Sequence, residues 1–188
     1  MTVVLGAVGL ATLACGGGQM ALTPQDQEVV FTAHDLLRTH PSLAIDPSKE
    51  TWALAKSLGA WELDYEYEDL ENAGTPLMVV TQITVDTDPS EAKLTYSAVK
   101  IGAAIGFAGG VERVQRDDLL TWGDQDECMV LLNEVGLEVG NYCLLRDGRT
   151  TMMWAVVGAV FTEPDEVTET LRPRLEKLAA YDPEAITR

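Results

Sequence analysis

The clearest pattern in the chain is a change of period at Trp61. Trp61, Leu63, Tyr65 and Tyr67 alternate with Glu62, Asp64, Glu66 and Glu68, the two-residue period of a half-buried strand with one acidic face. Upstream, Val29, Val30, Ala33, Leu36 and Leu37 recur at helical spacing. Thr23 is suited to cap that helix, Pro24 to its first position and Asp26 to its first turn, and Pro41 stops it. Residues 42–60 fit two patterns, a helix capped at Asp46-Pro47 or a strand over 51–58. A turn at Asn72-Ala73-Gly74 then leads into a second strand, Leu77 to Val85, antiparallel to the first.

Asp88-Pro89-Ser90-Glu91 is a strong helix start, with Asp88 as cap, Pro89 pre-set for the first turn and Glu91 placed to bond back. The helix carries Leu94, Val99, Ile101, Ile105 and Phe107 and ends at Gly109-Gly110. Strands are expected at Val111 to Val114 and Cys128 to Leu132. Asp147-Gly148 joins Tyr142–Arg146 to Arg149–Phe161 as a hairpin. The run from Met152 to Phe161 is apolar on both parities, so this strand is covered on both faces. Pro164 to Tyr181 closes as an amphipathic helix with Val167, Leu171, Leu175 and Leu178 inward and Pro173 within it. This order predicts an α+β fold, a mainly antiparallel sheet with helices packed on it, for which an α/β/α sandwich is one arrangement. The order of elements is distantly similar to that of PsbP-like domains; no motif carries that likeness and no residue role follows from it.

The N-terminus is different in kind. Val3 to Ala14 is an apolar run of 12, and the first charged side chain is Asp26. Twelve residues fall short of the about 20 a bilayer span needs and match the core of an export signal. Ala11-Thr12-Leu13-Ala14-Cys15, followed by Gly16-Gly17-Gly18, resembles the lipobox of bacterial lipoproteins, with Thr12 where that motif usually has Leu. The resemblance implies a signal peptide over 1–14, a lipidated Cys15, a flexible tether over 15–22 and a single globular domain over 23–188. A Gly after the cysteine further resembles outer-membrane sorting in Gram-negative bacteria, on the periplasmic side. The competing reading is a cytosolic α+β protein whose Val3-Val4-Leu5 is a buried first strand. Gly6-Ala7-Val8-Gly9 does not fit a dinucleotide-binding loop, and no phosphate-binding Gly-Lys-Ser/Thr occurs.

Three cysteines are an odd number. With Cys15 lipidated, Cys128 and Cys143 remain to pair in an oxidising compartment. A hairpin turning at Val135-Gly136 sets residues 128 and 143 opposite one another, about 4.5–5.5 Å apart at Cα, within disulfide range. The alternative is two buried free thiols.

Charge narrows the partners. Thirteen Lys and Arg against 30 Asp and Glu give −17, which leaves no cationic surface for nucleic acid. Glu62, Asp64, Glu66 and Glu68 lie about 6.5–7 Å apart along one strand face, weak candidates for holding a cation, since calcium wants about six to eight oxygens. Asp124-Gln125-Asp126-Glu127 is a second acidic group, placed in a loop. Both are read first as solvated surface. His34 and His40, the only histidines, sit six apart, on different faces of a helix, and are expected at the surface. The small residues Ala98, Gly102, Ala103, Gly106 and Gly109 make one side of the middle helix thin, for close packing on the sheet. A groove beside it, with Met78, Met152, Met153 and Trp154, is the place for an apolar ligand. No cofactor motif is present. The function expected is a lipid-anchored envelope binding or protein-interaction module, held to the membrane by its lipid. The rival is an envelope hydrolase or cation-dependent enzyme using the acidic strand face.

Overall fold

The computed structural model describes residues 20–71, 76–106 and 111–188. The N-terminal signal and tether through Gly18, the Asn72-Ala73-Gly74 turn, Phe107 and the Gly109-Gly110 helix end lie outside these residues. The fold is α+β. Seven strands, β1 (Glu50–Ser57), β2 (Ala60–Asp69), β3 (Leu77–Val85), β4 (Glu112–Gln115), β5 (Gln125–Leu132), β6 (Glu138–Asp147) and β7 (Thr150–Val157), form one sheet. Their order is β1-β2-β3-β7-β6-β5-β4, with every neighbouring pair antiparallel. Helices cover both faces. α1 (Pro24–Val29) and α3 (Pro164–Leu178) share one core with Tyr65, Tyr67, Ile83, Trp154 and Phe161. α2 (Pro89–Gly106) lies on the other face with Tyr142, Leu144, Met153 and Val157.

Local chemistry explains most boundaries. Thr23 and Asp26 form a reciprocal capping box at α1. The helix expected to reach Pro41 stops at Val29, however. Val30 turns extended, and Thr32 with Asp35 caps a separate 3-10 turn over Ala33–Arg38. Breaking the helix there sends Val30 and Phe31 fully into the core, where the Thr81 hydroxyl donates to the Phe31 carbonyl at 2.6 Å. Residues 50–57 are strand, not helix, because Leu58 and Gly59, both at positive φ, make a two-residue reversal suited to a twisted hairpin. β3 occupies the predicted span, and all four predicted inward residues of α3 are buried. β7 is buried along its whole length.

α2 starts as expected, with the Asp88 carboxylate accepting from the Ser90 and Glu91 amides at 2.7 and 3.1 Å. Glu91 bonds to the Thr87 hydroxyl rather than back to the cap backbone. Its apolar positions divide differently from expectation. Ala92, Tyr96 and Ala103 are buried, while Leu94 and Ile101 are 72% and 63% exposed. α2 is apolar around much of its circumference, so small residues that allow close approach, with Tyr96 spreading over the sheet, choose the inner side.

The β5–β6 hairpin keeps the predicted register but not the predicted turn. Cys128 lies opposite Cys143, yet pairing shifts between Leu131 and Leu132, and the reversal spans Asn133 to Leu137, closed by the Asn133 side chain accepting from the Val135 and Leu137 amides. The irregularity brings Gly140 against β7, where a Cβ would meet the Val156 carbonyl oxygen at 1.9 Å. Only glycine fits that approach.

Candidate functional site

The acidic face of β2 is where alternation places it. Trp61, Leu63, Tyr65 and Tyr67 enter the core; Glu66 and Glu68 are exposed, and Glu62 and Asp64 half-buried. Their cross-strand partners are Ala55, Ala53 and Thr51 on β1 and Thr84, Gln82, Val80 and Met78 on β3. Because α2 packs mainly on β3, β6 and β7, the acidic strip runs beside the helix instead of beneath it. Burial pushes the Asp64 carboxyl up to about 6; a hydrogen bond from Gln82 opposes the shift and the Glu62 charge adds to it.

The strip continues onto neighbouring elements through a residue that the sequence reading did not single out. Asp86 follows Gln82 and Thr84 on the same parity of β3, which places it on the Glu62 side of the sheet under the first turns of α2. It is only 5% exposed. Its Oδ1 accepts from the Thr95 hydroxyl at 3.1 Å, while its Oδ2 is buried without a hydrogen-bond partner. Burial raises its pKa; Thr95 opposes this, and the charges bearing on it most, from Glu91, Asp88 and Glu62, are all negative. The signal was present in the parity of 82, 84 and 86, which meets Glu62 across the β2–β3 pair.

The strip has no counter-charge. Among the described residues, no ion pair involves Glu62, Asp64, Glu66, Glu68, Asp86, Asp88 or Glu91. Some acids elsewhere do meet cations. Asp26, wholly buried, accepts from the Thr23 amide and hydroxyl, from the Tyr181 hydroxyl at 2.5 Å and from Arg188 at 2.7 Å. Asp35 takes the Arg174 guanidinium on both oxygens. Asp69 takes Lys49 at 2.5 Å, which holds its carboxyl below the usual range.

The second acidic group departs from expectation. Gln125 to Glu127 open β5, and Glu127 is 8% exposed and paired with Lys100 of α2. Asp124 and Gln125 hold the buried Arg146 at 2.9 and 2.8 Å, and Asp126 accepts from the Trp122 amide at 3.1 Å. Glu127 is a buried cross-tie, whereas Asp124 and Gln125 stay at the surface while they hold Arg146. The Tyr96 hydroxyl is pushed up to about 12, first by its own burial and then by the charges of Glu127 and Asp126.

The remaining candidates are dispersed. His34 lies 3.4 Å from Glu50; His40 bonds to Thr39 and stands edge-on to Phe161. The Cys128 and Cys143 sulfurs are 1.89 Å apart, at disulfide distance, with Cα atoms 4.2 Å apart. Met152, Met153 and Trp154 are core residues of β7, and Met78 packs at the edge of the α2 core. An open groove of about 370 Å³ lies elsewhere, between α1 and the end of α3, lined by Gln25, Glu28, Val29, Lys177, Tyr181 and Ile186 among others. Among the described residues, no group of three or more His, Cys, Asp or Glu side chains comes together to hold a metal ion.

No protein-family model matches the chain, and no curated protein matches it. Among solved structures it is similar to the extracellular domain of PknH from Mycobacterium tuberculosis, with a TM-score of 0.47 and 9% identity over 87% of this chain and 100% of that one.

Proposed function

We propose that the protein is a binding module of the cell envelope, held to the membrane by a lipid on Cys15. The observation that carries this reading is the cysteine itself, set directly after a 12-residue apolar run and directly before three glycines. One feature of the structure supports it: Cys128 and Cys143 stand at disulfide distance, a bond that persists in oxidising compartments. Several acyl chains on one cysteine give stable attachment, since each buried CH₂ contributes about 0.8 kcal/mol. A binding module accords with the open acidic strip, which presents like charges on a sheet face.

Intact mass of the protein from its native host, purified without reductant, tests the proposal. The expected result is loss of residues 1–14, added acyl mass and a deficit of two hydrogens. Cys15→Ser should abolish the acyl mass and move the protein from the membrane to the soluble fraction. A mass matching the whole unmodified chain overturns the reading.

A further inference from the structure

The reversal between β1 and β2 carries a residue that turn chemistry does not explain. Leu58 and Gly59 both have positive φ, 51° and 91°. A two-residue reversal of this kind favours Asn-Gly or Asp-Gly. Leucine is strained there, because in the left-handed region its Cβ crowds the following carbonyl. Among the described residues no other non-glycine residue has positive φ. The fold gives Leu58 nothing in return, since it is 99% exposed. A strained side chain that touches nothing in its own chain points to a contact outside it. A single exposed leucine does not say what it meets; its position does.

The tether expected over 15–22 is tied down from Met20 onward. The Met20 amide donates to the Leu54 carbonyl at 2.9 Å, and Met20 and Leu22 pack on the core. Only five peptide steps separate Met20 from Cys15, a span of at most about 18 Å. Leu54 lies on β1, an edge of the sheet, and Leu58 is four residues farther on, about 13 Å along the strand. A lipid on Cys15 therefore keeps the β1 edge, and the tip that projects from it, close to the bilayer. Other exposed apolar side chains are less well placed. Leu70 is seven residues past Leu63, the partner of Leu54, about 23 Å away. Leu137 precedes β6, at the end of the strands opposite Leu58 and four strands from β1, about 19 Å to the side. Leu94 stands on α2, which packs on β3, β6 and β7.

We infer that Leu58 is a membrane contact: the β1–β2 tip enters the headgroup region of a zwitterionic lipid surface and sets which side of the domain faces away from the bilayer. The inference rests on the lipid at Cys15 and names how the anchored domain sits. One leucine cannot hold a protein on a membrane, and here it need not, because the anchor keeps it at high local concentration. The surface is zwitterionic because a net charge of −17 is repelled by an anionic one. Lys56, the cation beside the tip, is already engaged by Glu184. With the β1 edge against lipid, β4 and β5 at the other edge of the sheet are turned toward solvent.

The test uses the protein from its native host, methyl-labelled at leucine, with phosphatidylcholine nanodiscs that carry a nitroxide lipid. The Leu58 methyl signals, identified by their loss in Leu58→Asn, should broaden at least about fivefold more than those of Leu70, Leu94 and Leu137, as an apolar side chain seated among headgroups would. Leu58→Asn should raise the melting temperature in detergent by about 2 °C, because Asn tolerates the left-handed region. The same variant should stay on the nanodisc and bring the broadening of the remaining exposed leucines to within about twofold of one another. A lower melting temperature would show that Leu58 serves the fold and would overturn the inference. Equal broadening of all exposed leucines, or the strongest at Leu94 or Leu137, would do so as well. Intact mass of the same sample separates the contact from the anchor. An acylated chain with Leu58 unbroadened overturns the contact and leaves the anchor standing. Leu58 broadened in a chain of unmodified mass does the reverse, and an unmodified chain with Leu58 unbroadened overturns both.

Discussion

Two groups of acids in this protein contrast. Asp26, Asp35 and Glu127 are buried and answered, by Arg188 and Tyr181, by Arg174 and by Lys100, and the half-exposed Asp124 is answered by Arg146. On the Glu62–Glu68 face of β2, just past β3 and at the start of α2, acids of the same kinds meet neutral groups and one another, while Asp69, on the opposite parity, takes Lys49. Burial alone does not separate the populations, since Asp26 and Asp86 are both inside. The difference is whether the fold brings a guanidinium or ammonium within reach. With 13 basic and 30 acidic side chains, cations are scarce, and several of them tie helices and the chain end down: Lys56, Lys100 and Arg149 to the sheet, Arg174, Lys177 and Arg188 to the first helical turns. One population stabilises the fold; the other holds like charges together on a sheet face.

Substitutions should separate the two in order of size. Asp26→Ala removes an acceptor of four hydrogen bonds and strands Arg188, so urea unfolding should show a loss of about 3–5 kcal/mol. Asp35→Ala costs the cap on the 3-10 turn and the Arg174 bond, about 2–3 kcal/mol. In the unpaired population the sign reverses. The folded-state pKa of Asp64, about 6, lies above its unfolded value of about 3.9. Its stabilising contribution is therefore complete below pH 4 and lost as pH rises through 6. Asp64→Asn should accordingly be about 2 kcal/mol more stable than the parent at pH 7.5 and equal to it near pH 4, in unfolding curves taken across that range. Glu68→Gln, at an exposed and unpaired position, should move stability by less than about 0.5 kcal/mol at any pH. A stabilised Asp26→Ala, or an Asp64→Asn that loses stability at neutral pH, would erase the distinction.

Much of the architecture was readable from local signals. The β3 span, the inward face of α3 and the Asp147-Gly148 reversal follow from period, burial parity and turn chemistry. The register that sets Cys128 opposite Cys143 was readable because antiparallel pairing constrains the sum of paired positions, even though the turn is longer and a bulge restores the count. Three elements were not, each because a distant contact decided it. The first helix breaks at Val30 because Phe31 belongs under β3. β1 is a strand because β2 is there to pair with it. Leu94 and Ile101 point outward because Ala92 and Ala103 let α2 approach the sheet. Of the candidate site, the β2 strip was visible as alternation, and its extension through Asp86 became visible only when β3 was laid beside β2. The Asp124–Glu127 group looked like solvated loop because its partners, Lys100 and Arg146, are remote in sequence.

The seam between β3 and β7 bears on how the chain folds. β1 to β3 form one meander and β4 to β7 another, and within each, strands pair with near neighbours in sequence. The seam joins Met78 to Val157 and Val85 to Thr150, with α2 and the whole second meander intervening. Contacts that close so long a loop form late and slowly. Folding should therefore proceed as two local sheets that dock once, with Trp154 and Ile83 exposed until they do. A chaperone acting on this protein has its work at that seam, between two halves that are each already in register.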